Sequence, residues 1–124
     1  MNRKQILLNL SNHPYLDWEE KQKKAAHKYG NVVDMSFPKV DEYGDEDYIT
    51  DLAHCYLKKI QAVGKPDNVT IHLMGELTFS FALLKLLQRE GYTCIASTSE
   101  RIVEELHPSQ KQVVFKFERF RVYE

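Results

Sequence analysis

The chain has 124 residues, of which 43% are hydrophobic and 28% charged, with 17 Lys+Arg against 18 Asp+Glu. This length predicts a single domain over residues 1–124, because it suffices for one good core and leaves no room for a second. The formal net charge of -1 argues against a protein that holds long nucleic acid through bulk positive charge.

Targeting, membrane and metal-binding signals are missing from the sequence. The basic start at residues 1–5 precedes an apolar run too short for a secretory signal, and no stretch has the length of a membrane span. Cys55 and Cys94 lack the spacing of a zinc site, and the histidines add no ligand pattern. We expect a cytoplasmic protein without membrane contact, metal or cofactor. Cys94 is interpreted as a small core residue, with a disulfide to Cys55 as the less favoured alternative.

The first half of the chain begins with a strand and a helix. Residues 6–10 form a short apolar run typical of a buried parallel strand, and a polar turn follows at residues 11–14. Asp17 and Glu20 resemble a capping box, which predicts a helix that begins there and ends at Gly30. Residues 32–35 are the second predicted strand, and residues 38–47 form an acidic connection.

The second half continues the alternation of helices and strands. Apolar residues at helical spacing predict a helix over residues 49–60, which Gly64 and Pro66 terminate. A strand over 69–74, a helix over 78–90 and a strand over 93–96 follow. This order predicts an α/β fold, a parallel sheet with right-handed crossovers and helices on both faces.

The C-terminal segment has a different pattern. Residues 101–106 and 112–123 flank a turn, and Val113, Phe115 and Phe117 alternate with more polar positions, which favours a C-terminal β-hairpin. The alternative is a short helix over residues 99–106, because Glu104 and Glu105 favour helix.

Ligand sites of open parallel sheets lie beyond the carboxyl ends of the strands, near the point where strand order reverses. This rule selects three segments, which are Ser11-Asn12-His13, Gly75-Glu76-Leu77-Thr78 and Ser97-Thr98-Ser99-Glu100-Arg101. Gly75 stands at a strand-to-helix junction, where glycine lets backbone approach a ligand and helix amides face an anion. A simple tight turn explains Gly75 equally well.

The third segment combines three hydroxyls with the forked cation of Arg101, a set suited to phosphate oxygens. Alone, the segment is more typical of a turn whose hydroxyls bond their own backbone, with Arg101 on the surface. Together with Gly75 and Ser11 at the same predicted sheet edge, it favours a phosphate site. His13 precedes a proline in a loop, which predicts an exposed proton carrier or phosphate donor. His72 alternates within a buried strand and is interpreted as a packed core histidine.

Arg119 and Arg121 follow Phe115 and Phe117 at a period of two. In a regular strand these arginines share the face of the phenylalanines, and they then point into the site or a subunit interface. The alternative is a strand that runs past the edge of the core, where arginine extends into water.

Four segments together resemble a known family. They are Ile-Leu-Leu-Asn-Leu-Ser-Asn-His-Pro at 6–14, Met-Gly-Glu-Leu-Thr-Phe at 74–79, Ala-Ser-Thr-Ser-Glu-Arg at 96–101 and Phe-Glu-Arg-Phe-Arg-Val-Tyr at 117–123. In this order they resemble the small stand-alone CRISPR-associated proteins of the CARF superfamily, the ring-nuclease-like group. The resemblance implies a Rossmann-like homodimer that binds a cyclic oligoadenylate across its twofold axis and degrades it, which switches off a type III CRISPR response.

By position, the resemblance implies roles for individual residues. Ser11 and the backbone of residues 75–78 hold phosphate, Ser99 and Arg101 stabilise the transition state, and His13 or Glu76 handles protons. The predicted ligand contacts further include Asn12, Gly75, Leu77, Thr78, Ser97, Thr98, Arg119 and Arg121. Cleavage needs no metal, because the ribose 2′-hydroxyl attacks its own phosphodiester.

Two features of the sequence keep other functions open. Glu76 brings a negative charge to a phosphate loop, which also fits a hydrogen bond to ribose or adenine or a pair with an arginine. No lysine stands beside the three segments, which leaves a non-catalytic sensor or sequestering module as an alternative to the ring nuclease. A Rossmann-like nucleotide-binding enzyme outside CRISPR biology is the third hypothesis.

Overall fold

A computed structural model describes residues 4–124 of the chain. Residues 1–3, part of the start that we interpreted as lacking a secretory signal, lie outside the described residues. The elements are the strands β1 (Ile6–Ser11), β2 (Asn31–Asp34), β3 (Val69–Met74), β4 (Thr93–His107) and β5 (Gln110–Val122), and the helices α1 (Glu20–Ala26), α2 (Glu46–Val63) and α3 (Leu77–Arg89). A 3-10 turn, Tyr15–Asp17, precedes α1.

The described strands form one curled sheet in the order β2-β1-β3-β4-β5. The β1–β2, β1–β3 and β3–β4 pairs are parallel, and β5 runs antiparallel to β4. The predicted α/β fold, with a mostly parallel sheet flanked by helices and a C-terminal hairpin, is confirmed. The chain leaves β1 towards β2 on one side and returns to β3 on the other, so strand order reverses between β1 and β3.

One face of the sheet, here called the α2/α3 face, carries an apolar core. Leu8 and Leu10 of β1 and Ile71 and Leu73 of β3 are fully buried there beneath α2 and α3. The long helix α2 begins at Glu46, before its first predicted apolar position, because the Asp45 carboxylate accepts a hydrogen bond from the backbone N–H of Tyr48 at 2.9 Å.

The opposite face, here called the α1 face, is covered by α1 and by the last residues of β5, at the base of the C-terminal hairpin. Its apolar cluster consists of Leu7, Trp18, Ala26, Ile95, Phe117 and Phe120. The polar side chains of Asn9 and His72 are buried on this face as well. Successive residues of β1 and β3 therefore point to opposite faces, into an apolar core on the α2/α3 face and into a mixed polar and aromatic environment on the α1 face.

The predicted capping box of the first helix is wrong. Asp17 closes the 3-10 turn, and α1 begins three residues later at Glu20. Glu19 occupies the N-cap position without a side-chain capping bond, because its carboxylate instead accepts a 2.6 Å hydrogen bond from the backbone N–H of Phe117. Trp18 is consequently buried between the 3-10 turn and the sheet, outside the helix.

The fourth strand does not end at residue 96 as predicted, and residues 97–101 are strand. Antiparallel pairing with β5 continues from Ile95↔Val122 to His107↔Gln110, which supplies β4 with backbone partners after β3 has ended. The last β3–β4 pair is His72↔Ile95, so from residue 96 onward β4 pairs with β5 alone. This two-stranded segment, here called the ribbon, confirms the hairpin and excludes the alternative helix over residues 99–106.

A register shift in the ribbon changes where the arginines of β5 lie. Thr98 pairs with Arg119 but Ser99 pairs with Phe117, so Glu118 is an extra residue in β5. The alternation of buried and exposed residues along β5 is therefore interrupted at Glu118, and Phe117 and Phe120 are both buried although they are three positions apart. Arg119 and Arg121 do not share the face of Phe117, so the expectation from a regular strand is wrong.

Candidate functional site

A cavity of about 570 Å³ opens on the α1 face at the carboxyl ends of β1 and β3. This is the point at which strand order reverses, where an open α/β sheet places its ligands. Its lining comprises Ser11, Asn12, His13, Asp17, Trp18, Glu19, Gln22, His72, Met74, Gly75, Ser97, Ser99, Phe115 and Phe117. Each of the three predicted segments contributes to it, because Ser11 pairs with Met74 across β1 and β3 and β4 lies beside β3.

The loop after β1 is held by hydrogen bonds that converge on Asn9. The Asn9 amide donates to the carbonyl of His13 at 2.8 Å and to Asp34 Oδ1 at 2.9 Å. Ser11 Oγ lies 2.8 Å from Asn9 Oδ1 and accepts from the backbone N–H of His13 at 3.3 Å. Ser11 is half-buried and His13 is exposed. The cavity therefore presents a fixed hydroxyl beside a solvent-accessible imidazole.

His72 is a packed core histidine, as predicted, and it also lines the cavity, which was not predicted. The residue is 2% exposed, and its Nδ1 lies 2.9 Å from Asn9 Oδ1. Nε2 has no hydrogen-bond partner among residues 4–124. Burial, with a smaller contribution from the charge of His13, lowers the pKa of His72 to about 4, so the ring is neutral near pH 7.

Two of the predicted hydroxyls on β4 reach the cavity and one does not. Ser97 and Ser99 line it, and the Ser97 hydroxyl donates to the sulfur of Met74 at 3.0 Å. Thr98 lies on the other face of the strand, where its hydroxyl lies 3.2 Å from both the backbone nitrogen and the carbonyl oxygen of Arg119. Alternation along an extended strand explains the difference.

At the start of α3, Gly75 lines the cavity and Glu76 caps the helix. A Cβ at Gly75 would collide with the ring of Phe37, so close packing already requires glycine here. The Glu76 carboxylate accepts hydrogen bonds from the Phe79 N–H at 2.7 Å and from the Thr78 hydroxyl at 2.8 Å. The bond from Phe79 is the main reason that the pKa of Glu76 is lowered. The α3 amides therefore already face a carboxylate.

The predicted arginines lie outside the cavity. Arg101 stands opposite Phe115 in the ribbon, two residues beyond Ser99. Arg119 and Arg121 belong to a separate depression with Tyr123. Glu76, Leu77, Thr78 and Thr98 are likewise absent from the lining in the described part of the chain, and their predicted ligand contacts stay predictions.

Sequence reasoning missed the aromatic wall of the cavity. Trp18, Phe115 and Phe117 line it, and Phe115 is 63% exposed. The alternation of Phe115 and Phe117 in the sequence was a signal for a common face. It did not reveal that this face lines the same cavity as the loop after β1, because the two segments lie about a hundred positions apart in the chain.

The described residues contain no group of three or more His, Cys, Asp or Glu side chains placed to hold a metal ion. None of the described helices is long and apolar enough to span a membrane. Within residues 4–124, Cys55 is exposed, Cys94 is buried and both thiols are free. Burial raises the pKa of the Cys94 thiol to about 12, which fits a core residue.

Comparison with known proteins identifies the family of this chain. The model of the uncharacterized protein MJ1673 family matches residues 5–121, and the chain belongs to this family. No curated protein and no solved structure matches it.

Proposed function

We propose that this member of the MJ1673 family binds a cyclic oligoadenylate, such as cyclic tetra-adenylate, in the cavity at the β1/β3 reversal point and cleaves it without a metal. In this proposal the fold is a Rossmann-like, CARF-type domain that acts in the cytoplasm as a homodimer. The reaction would switch off type III CRISPR signalling. The proposal combines the resemblance of four segments to ring-nuclease-like proteins with the cavity to which all four contribute.

The observation that carries the proposal is the composition of the cavity lining. Hydroxyl and amide groups of Ser11, Asn12, Ser97 and Ser99 line the same cavity as the rings of Trp18, Phe115 and Phe117. Aromatic side chains offer stacking surfaces to nucleobases, at roughly 1–3 kcal/mol per base. Hydroxyls and backbone amides bind phosphate oxygens without a high density of positive charge. Such a lining suits a small ribonucleotide with few phosphates.

Cleavage would follow the chemistry that a ribonucleotide carries itself. The 2′-oxygen forms a bond to the adjacent phosphorus, and the bond from that phosphorus to the 5′-oxygen breaks. His13 is the exposed imidazole that would take the 2′-hydroxyl proton, while water or the same imidazole returns a proton to the 5′-oxygen. Ser11 and Ser99 would orient the phosphate. Arg101 lies outside the lining, two residues beyond Ser99 in the ribbon, and its side chain would have to move towards the cavity to stabilise the developing charge.

The proposed homodimer follows from the symmetry of the ligand. The described lining contains neither lysine nor arginine, and it includes the carboxylates of Asp17 and Glu19. One protomer alone therefore offers little positive charge to a ring of phosphates. A cyclic tetra-adenylate can share the twofold axis of a symmetric dimer, so that each subunit recognises half of the ring.

The same charge distribution favours a second candidate function, a non-catalytic sensor or sequestering module. Binding without turnover needs the stacking surfaces and hydroxyls but no cation that stabilises a transition state. The two candidates differ in one observable, the fate of the ring.

The test is incubation of the purified protein with cyclic tetra-adenylate in the presence of EDTA, followed by chromatography of the nucleotide. Linear products support the ring nuclease, and an intact ring with thermal stabilisation of the protein supports the sensor. No binding would contradict both functions. If the protein cleaves, His13→Ala should lower turnover about 100-fold or more, and Arg101→Ala should lower turnover more than it lowers stability. His54→Ala, on the exposed side of α2, is the matched control.

A further inference from the structure

The unpartnered nitrogen of His72 is the least expected feature of the cavity. Buried polar atoms in folded proteins almost always have a hydrogen-bond partner, and leaving one without a partner costs about 1–3 kcal/mol. His72 Nε2 is buried and has no partner among the described residues. An arrangement of this kind persists where another requirement, such as ligand binding, retains it.

The hydrogen-bond network determines which ring nitrogen of His72 carries the proton. The Asn9 amide nitrogen donates to the His13 carbonyl and to Asp34, so its oxygen is the atom that faces His72. An oxygen only accepts, so His72 Nδ1 must donate to it. In the neutral ring Nε2 is then an acceptor with a free lone pair.

The surroundings of the His72 imidazole indicate which kind of donor fits a hydrogen bond to the Nε2 lone pair. Trp18 and Phe120 pack edge-on against the imidazole, with ring centroids 5.3 and 5.5 Å away. Trp18 also lines the cavity, together with Phe117 and Phe115. A planar, aromatic ligand group that carries an N–H donor at its edge matches this environment better than a charged phosphate does.

We propose that His72 is a specificity-determining residue, whose Nε2 accepts a hydrogen bond from the exocyclic amino group of an adenine base. This inference deepens the proposed function and rests on it. Asn9 acts as a positioning residue, because its oxygen holds the ring in the tautomer that leaves Nε2 free to accept. Hypoxanthine has a carbonyl oxygen at the position of the amino group, and two facing acceptors repel each other.

Ligand entry to Nε2 involves Trp18. The Nε2 atom is buried, so in this proposal a base reaches it only when the Trp18 ring that packs against the imidazole moves aside and gives up its 3.0 Å hydrogen bond to the His13 carbonyl. Trp18 is the only tryptophan in the chain. Its fluorescence therefore reports binding directly in the unlabelled protein.

The test compares cyclic tetra-adenylate with cyclic tetra-inosinate by stopped-flow titration of Trp18 fluorescence, read before turnover, on the wild type, His72→Phe and the control His54→Phe. We expect the wild type and the control to prefer the adenylate by about tenfold or more. His72→Phe, which keeps the aromatic packing but removes the acceptor, should lose this preference and retain inosinate binding. An unchanged preference in His72→Phe overturns the inference and leaves the proposed function standing. Failure of the wild type to bind either ring overturns both.

A second measurement avoids any dependence on the folding of the variant. In wild-type protein labelled with ¹⁵N-histidine, we expect long-range proton–nitrogen spectra to show His72 protonated on Nδ1 alone. Addition of cyclic tetra-adenylate should move the Nε2 resonance in the direction of an accepted hydrogen bond, whereas cyclic tetra-inosinate should not. A proton on Nε2 in the free protein, or an unmoved Nε2 resonance in the complex, contradicts the inference.

Discussion

The two faces of the sheet are built from the same strands and differ in almost every other respect. Leu8 and Leu10 of β1 and Leu73 of β3 point to the α2/α3 face, where all are fully buried among apolar neighbours. Asn9 and His72, from the same strands, point to the α1 face. Helices of 18 and 13 residues cover the first face, whereas a helix of 7 residues and the ribbon cover the second.

The difference in coverage explains why the cavity lies where it does. The short helix α1 and the ribbon border the carboxyl ends of β1 and β3 without filling the space between them, and the cavity occupies this space. Polar groups can remain on this face because they bond one another, as Asn9 does with Asp34, His13 and His72. Both faces therefore bury apolar side chains, and the α1 face also holds the cavity.

The largest effect that we predict concerns the α2/α3 face. Phe79 is fully buried, with Phe37 and Tyr56 each 5.3 Å from its ring centroid. Phe79→Ala should lower the free energy of unfolding by about 3–5 kcal/mol, because it leaves a cavity in close-packed surroundings. Urea denaturation measures the change. On the same helix, Phe81 is 61% exposed, and Phe81→Ala should cost no more than about 0.5 kcal/mol. Similar losses in both variants would contradict the assignment of the apolar core to this face.

The second prediction concerns the α1 face and its dependence on pH. The pKa of His72 is about 4 in the folded chain against 6.5 for an unperturbed histidine, so between these values the unfolded state holds more protons. Stability should be full above pH 6.5 and should fall by up to about 3 kcal/mol as the pH decreases towards 4. Unfolding curves in urea at several pH values measure it. His72→Phe should remove this part of the pH dependence, and an unchanged slope in the variant would show that other groups cause it.

The smallest effect concerns the junction between the two faces, at the start of α3. Glu76→Ala removes the acceptor for the Phe79 N–H and should destabilise the protein by about 1 kcal/mol. Because the folded pKa of Glu76 is lowered, its contribution should be present at neutral pH and should be lost on acidification. Glu42→Ala, in an exposed loop, is the control. If the two variants had equal melting temperatures, the cap would not contribute to stability.

Prediction from sequence succeeded where burial imposes a regular period. The apolar positions of α2 and α3 and the continuous apolar runs of β1 and β3 place these elements correctly. The boundaries of α1 were wrong because Glu19, at its N-cap, bonds to β5, a partner distant in the chain. The end of β4 was wrong for a related reason, since β5 continues to pair with it after β3 has ended.

The candidate site was predicted in outline only. Ser11, Asn12, His13, Gly75, Ser97 and Ser99 follow from strand order and the rule for parallel sheets, and they do line one cavity. The extra residue Glu118 in β5 turns Arg119 and Arg121 away from the face of Phe117, and no local pattern marks it. His72 was recognised as buried, but its contribution to the cavity depends on the 2.9 Å contact with Asn9 on the neighbouring strand.

The sequence by itself determined the fold class, the helices and strands that carry the core and the edge of the sheet at which a ligand would bind. These follow from the spacing of apolar residues within each element and from the order of the elements along the chain, and both can be seen in the sequence. Only the tertiary structure decided which face of that edge is open, which hydroxyls reach it and which histidine nitrogen lacks a partner. Those features depend on strand register and on contacts between distant segments. A shift of a single residue in β5 is enough to move a side chain from one face to the other.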